Sequence, residues 1–220
     1  MALGDTVYVN GTFVSAQDAR VSPFDRGFLF AHAAYEVTAV YNGQLIDFDD
    51  HLLRLGRTLD GIEIALPEAD LAKLHRELID RNSLTEGLIY LQVSAGNHGP
   101  RDFYGPETLE PSLFMFVTHK TLIGDQARDG ITAILTDDTR WVRRDMKTTQ
   151  LLSQSLAYRS ARRRGADTAI MVEDGLVTEA ASANLWIVTH DGVLVPRDLS
   201  RALLPGITRA TVAGLLRDAG

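Results

Sequence analysis

Two Asn-Gly pairs, each set between runs of alternating residues, place the tightest constraint on how this chain folds. A two-residue hairpin turn needs positive φ at both central positions, which Asn and Gly tolerate. Asn10-Gly11 therefore joins strands Thr6–Val9 and Thr12–Val14. Tyr35-Glu36-Val37-Thr38-Ala39-Val40-Tyr41 alternates in the same way, turns at Asn42-Gly43 and returns through Gln44-Leu45-Ile46. Between the hairpins, Arg26–Ala34 is apolar and reads as a short helix. Asp49 or Asp50 can cap a helix carrying Leu52, Leu53, Leu55 and Leu59. Glu68–Arg81 is a second amphipathic helix, with Leu71, Leu74, Leu78 and Ile79 on one face. Leu88–Ala95 and Ser112–Thr118 read as strands around a loop rich in Gly and Pro.

After His119 the pattern changes. Residues 120–129 read as a linker, and Gly130–Leu135 as a strand. Thr148–Arg164 has helical spacing, with Leu151, Leu152, Leu156 and Ala157 inward. Strands Thr168–Val172, Leu176–Thr178, Leu185–Val188 and Val193–Val195 surround the turns Asp174-Gly175 and Asp191-Gly192. A last helix starts after Pro205-Gly206. The expectation is an α/β (α+β) chain with a small N-terminal α/β domain over 1–119, the linker 120–129, and a C-terminal domain over 130–220.

Composition narrows the chemistry. The 220 residues include no Cys, which removes disulfides, thiolate catalysis and Cys-ligated metal sites. No metal site is expected. A net charge of −7 argues against a nucleic-acid partner. Arg162-Arg163-Arg164 sit late in a helix, where cations suit the dipole. No apolar run approaches the roughly 18–20 residues that span a bilayer. The N-terminus has no signal-peptide pattern, so the cytoplasm is the expected compartment.

Primary amines are scarce. The lysines are Lys73, Lys120 and Lys147. Lys73 falls on the polar face of its helix and Lys120 in the linker. Lys147 follows Arg140, Arg143 and Arg144, and both neighbouring cations and partial burial would favour its neutral, nucleophilic form. On these residues alone it reads first as a solvated lysine in an Arg-rich loop, with the catalytic reading second. Leu204-Pro205-Gly206-Ile207-Thr208-Arg209 opens a helix, so its first N–H groups suit an anion, or are simply capped. In Thr178-Glu179-Ala180-Ala181-Ser182-Ala183-Asn184 a carboxylate is followed by small residues, the pattern of a surface loop or of an acid beside a flat ligand.

In chain order, Tyr35-Glu36-Val37, His51-Leu52-Leu53-Arg54-Leu55, Asp145-Met146-Lys147-Thr148-Thr149, Thr178-Glu179 with Ser182 and Asn184, and Gly206-Ile207-Thr208-Arg209 resemble the motifs of the fold type IV pyridoxal-phosphate enzymes. That group contains D-amino acid and branched-chain aminotransferases, (R)-selective amine transaminases and aminodeoxychorismate lyase. The resemblance implies two lobes, the C-terminal one larger and β-barrel-like, and a homodimer whose active sites a partner loop completes. It implies pyridoxal 5′-phosphate as cofactor, with Lys147 forming the Schiff base and moving the proton. Arg54, Ile207 and Thr208 match phosphate contacts, Glu179 the partner of the ring nitrogen, and Ser182 and Asn184 its neighbours.

The segment 35–64 is most similar to D-amino acid aminotransferases. This implies transfer of an amino group from a D-amino acid to a 2-keto acid, with Tyr35, Val37 and Arg101 at the substrate. An (R)-selective amine transaminase, a branched-chain aminotransferase, the lyase, or a non-catalytic dimer are the alternatives. The chain departs from the D-amino acid pattern at Phe103 (usually His), Ala95 (usually Arg) and His32 (commonly Asp). The family pattern also continues past Gly220 to a Thr-Gly-Thr phosphate contact. The second domain therefore reads as truncated, either as a fragment or with part of the phosphate cup missing.

Overall fold

The computed structural model describes residues 1–219. The chain divides into two compact units, one formed by 1–124 with 147–149 and the other by 125–146 with the residues from 150 onward.

The first unit runs β1 (Ala2–Leu3), β2 (Thr6–Val9), β3 (Thr12–Ser15), α1 (Arg26–Phe30), β4 (Ala33–Tyr41), β5 (Gln44–Leu45), α2 (Phe48–Gly61), α3 (Leu71–Arg81), β6 (Glu86–Ser94) and β7 (Ser112–His119). Both Asn-Gly turns form, with Asn10, Gly11, Asn42 and Gly43 all at positive φ. The strands make one sheet in the order β3-β2-β7-β6-β4-β5, with β1 also on β7. One face of this sheet packs under α2 and α3. Leu55, Leu59, Leu71 and Leu78 meet Val40, Ile89, Leu91, Val93, Met115 and Val117 there. Each large apolar side chain so buried contributes roughly 1.5–3 kcal/mol before its entropic cost.

The period-two alternation of β4 puts Glu36, Thr38 and Val40 on the core face and Tyr35, Val37 and Ala39 on the other. That second face carries an aromatic ladder. Tyr35 stacks on Tyr90 at 5.5 Å, and Tyr90 stacks on Phe116 at 4.8 Å. Burial pushes the Tyr90 phenol well above its ordinary range, and Tyr35 adds to the effect.

The second unit runs α4 (Gln126–Asp129), β8 (Ala133–Asp137), α5 (Leu152–Arg163), β9 (Thr168–Glu173), β10 (Leu176–Ala180), β11 (Trp186–Val188), β12 (Leu194–Pro196) and α6 (Ile207–Ala219). β8 and β9 are parallel and joined through α5, the crossover that parallel strands require. β10 returns antiparallel to β9. Ala157 and Ala161 of α5 pack on Ala169 and Met171 of β9, small residues that let helix and sheet approach closely. β11 and β12 form a separate ribbon. Within these 220 residues the second unit is the smaller, and its described strands form open sheets.

Several boundaries move for physical reasons. The unit boundary falls after Gly124, and the stretch read as a linker contains α4. Ala31 takes a left-handed conformation that ends α1, so β4 starts at Ala33. Asp47, not Asp49 or Asp50, precedes α2. Asp70 caps α3 by accepting from the Lys73 N–H at 2.9 Å. The largest shift is at α5, which starts at Leu152 and not at Thr148, because Lys147–Thr149 is extended against the first unit.

His75 on α3 is buried. Its Nδ1–H donates to the Leu71 carbonyl at 2.7 Å, and its ring meets the edge of Phe48 at 4.8 Å. Burial lowers its pKa to about 4 from 6.5, against the Leu71 bond, and the charge of His51 adds to the lowering. As pH falls from 6.5 toward 4, the unfolded chain takes up a proton that the folded one refuses. Stability is thus full above this window and lost within it, by on the order of 3 kcal/mol. Urea unfolding of the protein and of His75→Gln should give stabilities whose difference shrinks on acidification from pH 7 to 4. Parallel curves would contradict this.

Candidate active-site residues

In the first unit, Lys147–Thr149 binds along β4 at Ala33–Tyr35. The Tyr35 N–H donates to the Lys147 carbonyl at 3.0 Å, and the Thr149 N–H to the Ala33 carbonyl at 3.1 Å. The Lys147 N–H donates to Thr58 Oγ1 on α2 at 3.2 Å. The Thr149 hydroxyl donates to the Ala31 carbonyl at 3.2 Å. With its backbone held this way, Lys147 places Nζ 4.2 Å from the centre of the Tyr35 ring, a cation–π contact. Lys147, Tyr35 and Val37 are thereby carried by adjoining backbone, the two β4 residues on one face of the strand.

Beneath that face lies a charge cluster. Glu36 is buried, and its carboxylate accepts from Arg54 Nε and Nη2, both at 2.7 Å, and from His51 Nδ1 at 2.7 Å. Burial alone would raise the Glu36 pKa. The Arg54 fork, the His51 bond and the charge of Lys147 outweigh it and hold the carboxyl below its ordinary value. The ion pair uses one edge of a five-donor guanidinium. Glu36 and His51 received no role from the sequence. The available signal was a carboxylate at an inward position of an alternating strand, with His and Arg three residues apart on the facing helix.

Arg101 lies in the loop after β6. Its guanidinium sits 4.7 Å from the Phe103 ring and 5.3 Å from the Phe30 ring. Arg26 ties this loop to α1 by donating to the carbonyls of Asp102 at 2.7 Å and Phe103 at 3.2 Å. A cleft of about 270 Å³ opens here, lined in part by Phe24, Arg26, Phe30, His98 and Arg101. Phe103, read from sequence as a lost polar group, is thus a platform for Arg101. Ala95 is fully buried. His32 spans to α2's end through its bond to the Ile62 carbonyl at 2.7 Å.

The second unit holds the other candidates. Glu179 is the penultimate residue of β10, with 5% of its surface exposed. One oxygen accepts from Arg140 Nη1 in a short contact. The other accepts from Asn184 Nδ2 at 2.9 Å and the Leu204 N–H at 3.1 Å. Burial raises the Glu179 pKa; Arg140 and the Leu204 N–H oppose it without cancelling it, and Asp138 adds to the rise. Asn184 also donates to the Leu204 carbonyl at 2.9 Å, coupling Glu179 to the turn that opens α6. A Cβ at Gly206 would fall 2.0 Å from Asn184 Oδ1, so a larger residue there would displace the Asn184 side chain from Glu179. Ile207 and Thr208 form the first turn of α6, and Ile207 is buried. Ser182 bonds the Tyr158 hydroxyl at 2.5 Å.

The arginines before Lys147 are not free charges. Arg140 pairs with Asp138 and Glu179, Arg143 with Asp145, and Arg144 with Glu173. The expected neighbouring-cation effect on Lys147 therefore loses its basis, since each cation is matched by a carboxylate. Within its own unit, Lys147 contacts Tyr35 and Thr58 and acts by its charge on Glu36, among other neighbours.

A buried ion pair that loses one partner strands the other charge. Glu36→Gln should therefore destabilise the chain by about 3–5 kcal/mol, and pairing it with Arg54→Met should recover part of that loss. Denaturant titration checks both. A single-variant cost below about 1 kcal/mol, the level of an exposed pair, would contradict the burial described here.

The sequence pattern described as amino-transferase class IV matches residues 33–220. D-alanine aminotransferase of Bacillus licheniformis is 33% identical over 217 residues, covering 97% of this chain and 76% of that protein. The fold is similar to that of the branched-chain amino acid aminotransferase of Escherichia coli, with TM-score 0.89 at 23% identity, covering 99% of this chain and 75% of that one. It is likewise similar to the branched-chain aminotransferase of Thermoproteus uzoniensis determined with norvaline, with TM-score 0.84 at 26% identity, covering 99% and 76%. No helix among the described residues is long and apolar enough to cross a membrane. The pattern match over most of the chain, the likeness to D-alanine aminotransferases along nearly all of it and the shared architecture identify this chain as a member of the class IV aminotransferases.

Proposed function

We propose that this aminotransferase moves the amino group of a D-amino acid to a 2-keto acid, using pyridoxal 5′-phosphate bound through Lys147. The observation that carries the reading is the backbone capture of Lys147 beside Tyr35. It holds the chain's one amine of this kind against the strand that carries the candidate substrate contacts. The likeness to D-alanine aminotransferases supports D-amino acids as donors.

The residues present suit the cofactor. Lys147 supplies a primary amine for its aldehyde. Arg54 in the first unit is a guanidinium of the kind that suits its phosphate, and in the second unit the first turn of α6 at Ile207 and Thr208 is a helix start that suits an anion. Glu179 has three hydrogen-bond donors on a carboxylate with about four acceptor positions, which leaves one for a protonated ring nitrogen. Ser182 and Asn184 belong to the same loop, and Asn184 fixes the Glu179 carboxylate. When bound, the cofactor supplies an electron sink for the carbon that loses its proton.

The chain's own groups do the rest. Lys147 Nζ would take the proton from the substrate Cα and pass it to the carbon that was the cofactor's aldehyde, and the second half-reaction would run the same transfers in reverse. Tyr35 and Val37 border the substrate, and Arg101 grips its carboxylate in the planar, two-point manner open to a guanidinium. The stacking of Arg101 on Phe30 and Phe103 limits its rotamers before substrate arrives. A homodimer in the cytoplasm is part of the same proposal.

Lys147→Ala should lower transamination by roughly 10²–10⁴-fold or more, the contribution of a positioned acid–base group. It should also abolish the borohydride-stable mass increase that a lysine-bound cofactor gives. A retained rate would remove Lys147 from the chemistry. Arg101→Ala should raise KM for D-alanine while leaving a carboxylate-free (R)-amine nearly unaffected. Equal losses for both would show that Arg101 does not bind the carboxylate.

A further inference from the structure

Asp138 has no role in the reading above, yet it is a fully buried carboxylate at the head of a charge network. It follows β8, and its backbone N–H is anchored to the Val172 carbonyl of β9 at 2.8 Å. Oδ1 accepts from Arg140 Nε at 2.9 Å and from the Arg140 N–H at 3.1 Å. Oδ2 accepts from Arg140 Nη2 at 2.7 Å and from the Thr178 hydroxyl at 2.6 Å. Arg144 Nη1 stands 3.6 Å from Oδ2, while its two Nη groups engage Glu173.

The Nε–Nη2 edge of Arg140 is therefore taken by Asp138, and Nη1 alone reaches Glu179. The network holds three carboxylates, Asp138, Glu173 and Glu179, against two guanidiniums, Arg140 and Arg144. Glu173 reaches the surface, so its charge is met by solvent, whereas Glu179 is buried and commands only one guanidinium N–H, a setting that a further cation would stabilise. Four donors fill the acceptor positions of Asp138, whereas the buried Glu179 has three and one position to spare.

We infer that Asp138 is a positioning residue for Glu179: by holding one edge of Arg140 it limits Glu179 to a single guanidinium N–H, and so keeps Glu179 able to bind one more cation. This rests on the reading that Glu179 faces the ring nitrogen of the cofactor, the cation in question. Other groups around Glu179 are neutral donors from Asn184 and Leu204, and Arg197 bonds the Val177 carbonyl on the same strand. Without the Asp138 charge, Arg140 swings its fork to Glu179, which is then fully paired without any ligand.

The test begins in the cofactor-free protein. With ¹³C-labelled glutamate, and Glu179→Gln for assignment, the Glu179 carboxyl should titrate roughly one pH unit lower in Asp138→Asn than in the parent chain. Thr178→Val removes a hydrogen bond from Asp138 but keeps its charge, so it should lower the melting temperature and leave the Glu179 titration in place. Equilibrium dialysis should show pyridoxal phosphate binding roughly tenfold weaker in Asp138→Asn, the scale of one charge-assisted hydrogen bond. Arg140→Lys, which cannot fork, should move the Glu179 titration upward and serves where Asp138→Asn does not fold. An unchanged Glu179 titration in Asp138→Asn, or an equal shift in Thr178→Val, would overturn the inference. If Glu179→Gln binds pyridoxal phosphate as tightly as the parent, the ring-nitrogen reading fails instead, and the carboxyl titration still reports on Asp138.

Discussion

The bonding of three residues, Lys147–Thr149, along the first residues of β4 is the constraint on which the candidate chemistry depends. These residues belong to the first unit, while those on either side of them belong to the second. The chain therefore enters and leaves the first unit within one short extended segment. Hydrogen bonds at Ala33, Tyr35 and Thr58 hold that segment by its backbone. A lysine has four rotatable bonds, and its ammonium is useful in chemistry only when the backbone that carries it is fixed. Strand β4 then does two jobs through its alternation. Its outer face offers Tyr35 and Val37, and its inner face carries Glu36 into the core.

Each unit solves a similar electrostatic problem with its own buried carboxylate. Glu36 receives a full fork from Arg54 together with His51, and is held ionised below its ordinary pKa. Glu179 receives one N–H of Arg140 and two neutral donors, and its pKa lies above the ordinary value. The difference is one of how many guanidinium contacts each carboxylate commands. A fully paired acid is a structural anchor, and a partly paired one keeps capacity for a ligand. Charge balance at Glu179 is set by Asp138, which no local motif around Glu179 reveals.

Much of this was legible in the residues. The Asn-Gly turns, the alternation of β4 and the apolar stripe of α3 are local signals, and their elements form where the pattern put them. The scarcity of lysine left three candidate amines, Lys73, Lys120 and Lys147, and it was the resemblance that pointed to Lys147. The start of α5 was misplaced, because helical spacing near Thr148 competes with tertiary hydrogen bonds to β4 that no local pattern encodes. The supposed cationic setting of Lys147 failed for a similar reason. Arg140, Arg143 and Arg144 are close in sequence, but the carboxylates that pair with Arg140 and Arg144 include Glu179 and Glu173, brought in by β10 and β9. Phe103 looked like a loss of polarity, and only the loop's path shows it stacking on Arg101.

The most direct test of the central claim is an absorbance spectrum of the chain with pyridoxal phosphate, taken before and after D-alanine and, separately, L-alanine. The account predicts a near-visible band that D-alanine bleaches, that L-alanine leaves in place, and that a 2-keto acid restores. A band that ignores D-alanine but bleaches with a branched L-amino acid would contradict the proposed donor. A chain that forms no band would contradict the proposed role of Lys147 in holding the cofactor.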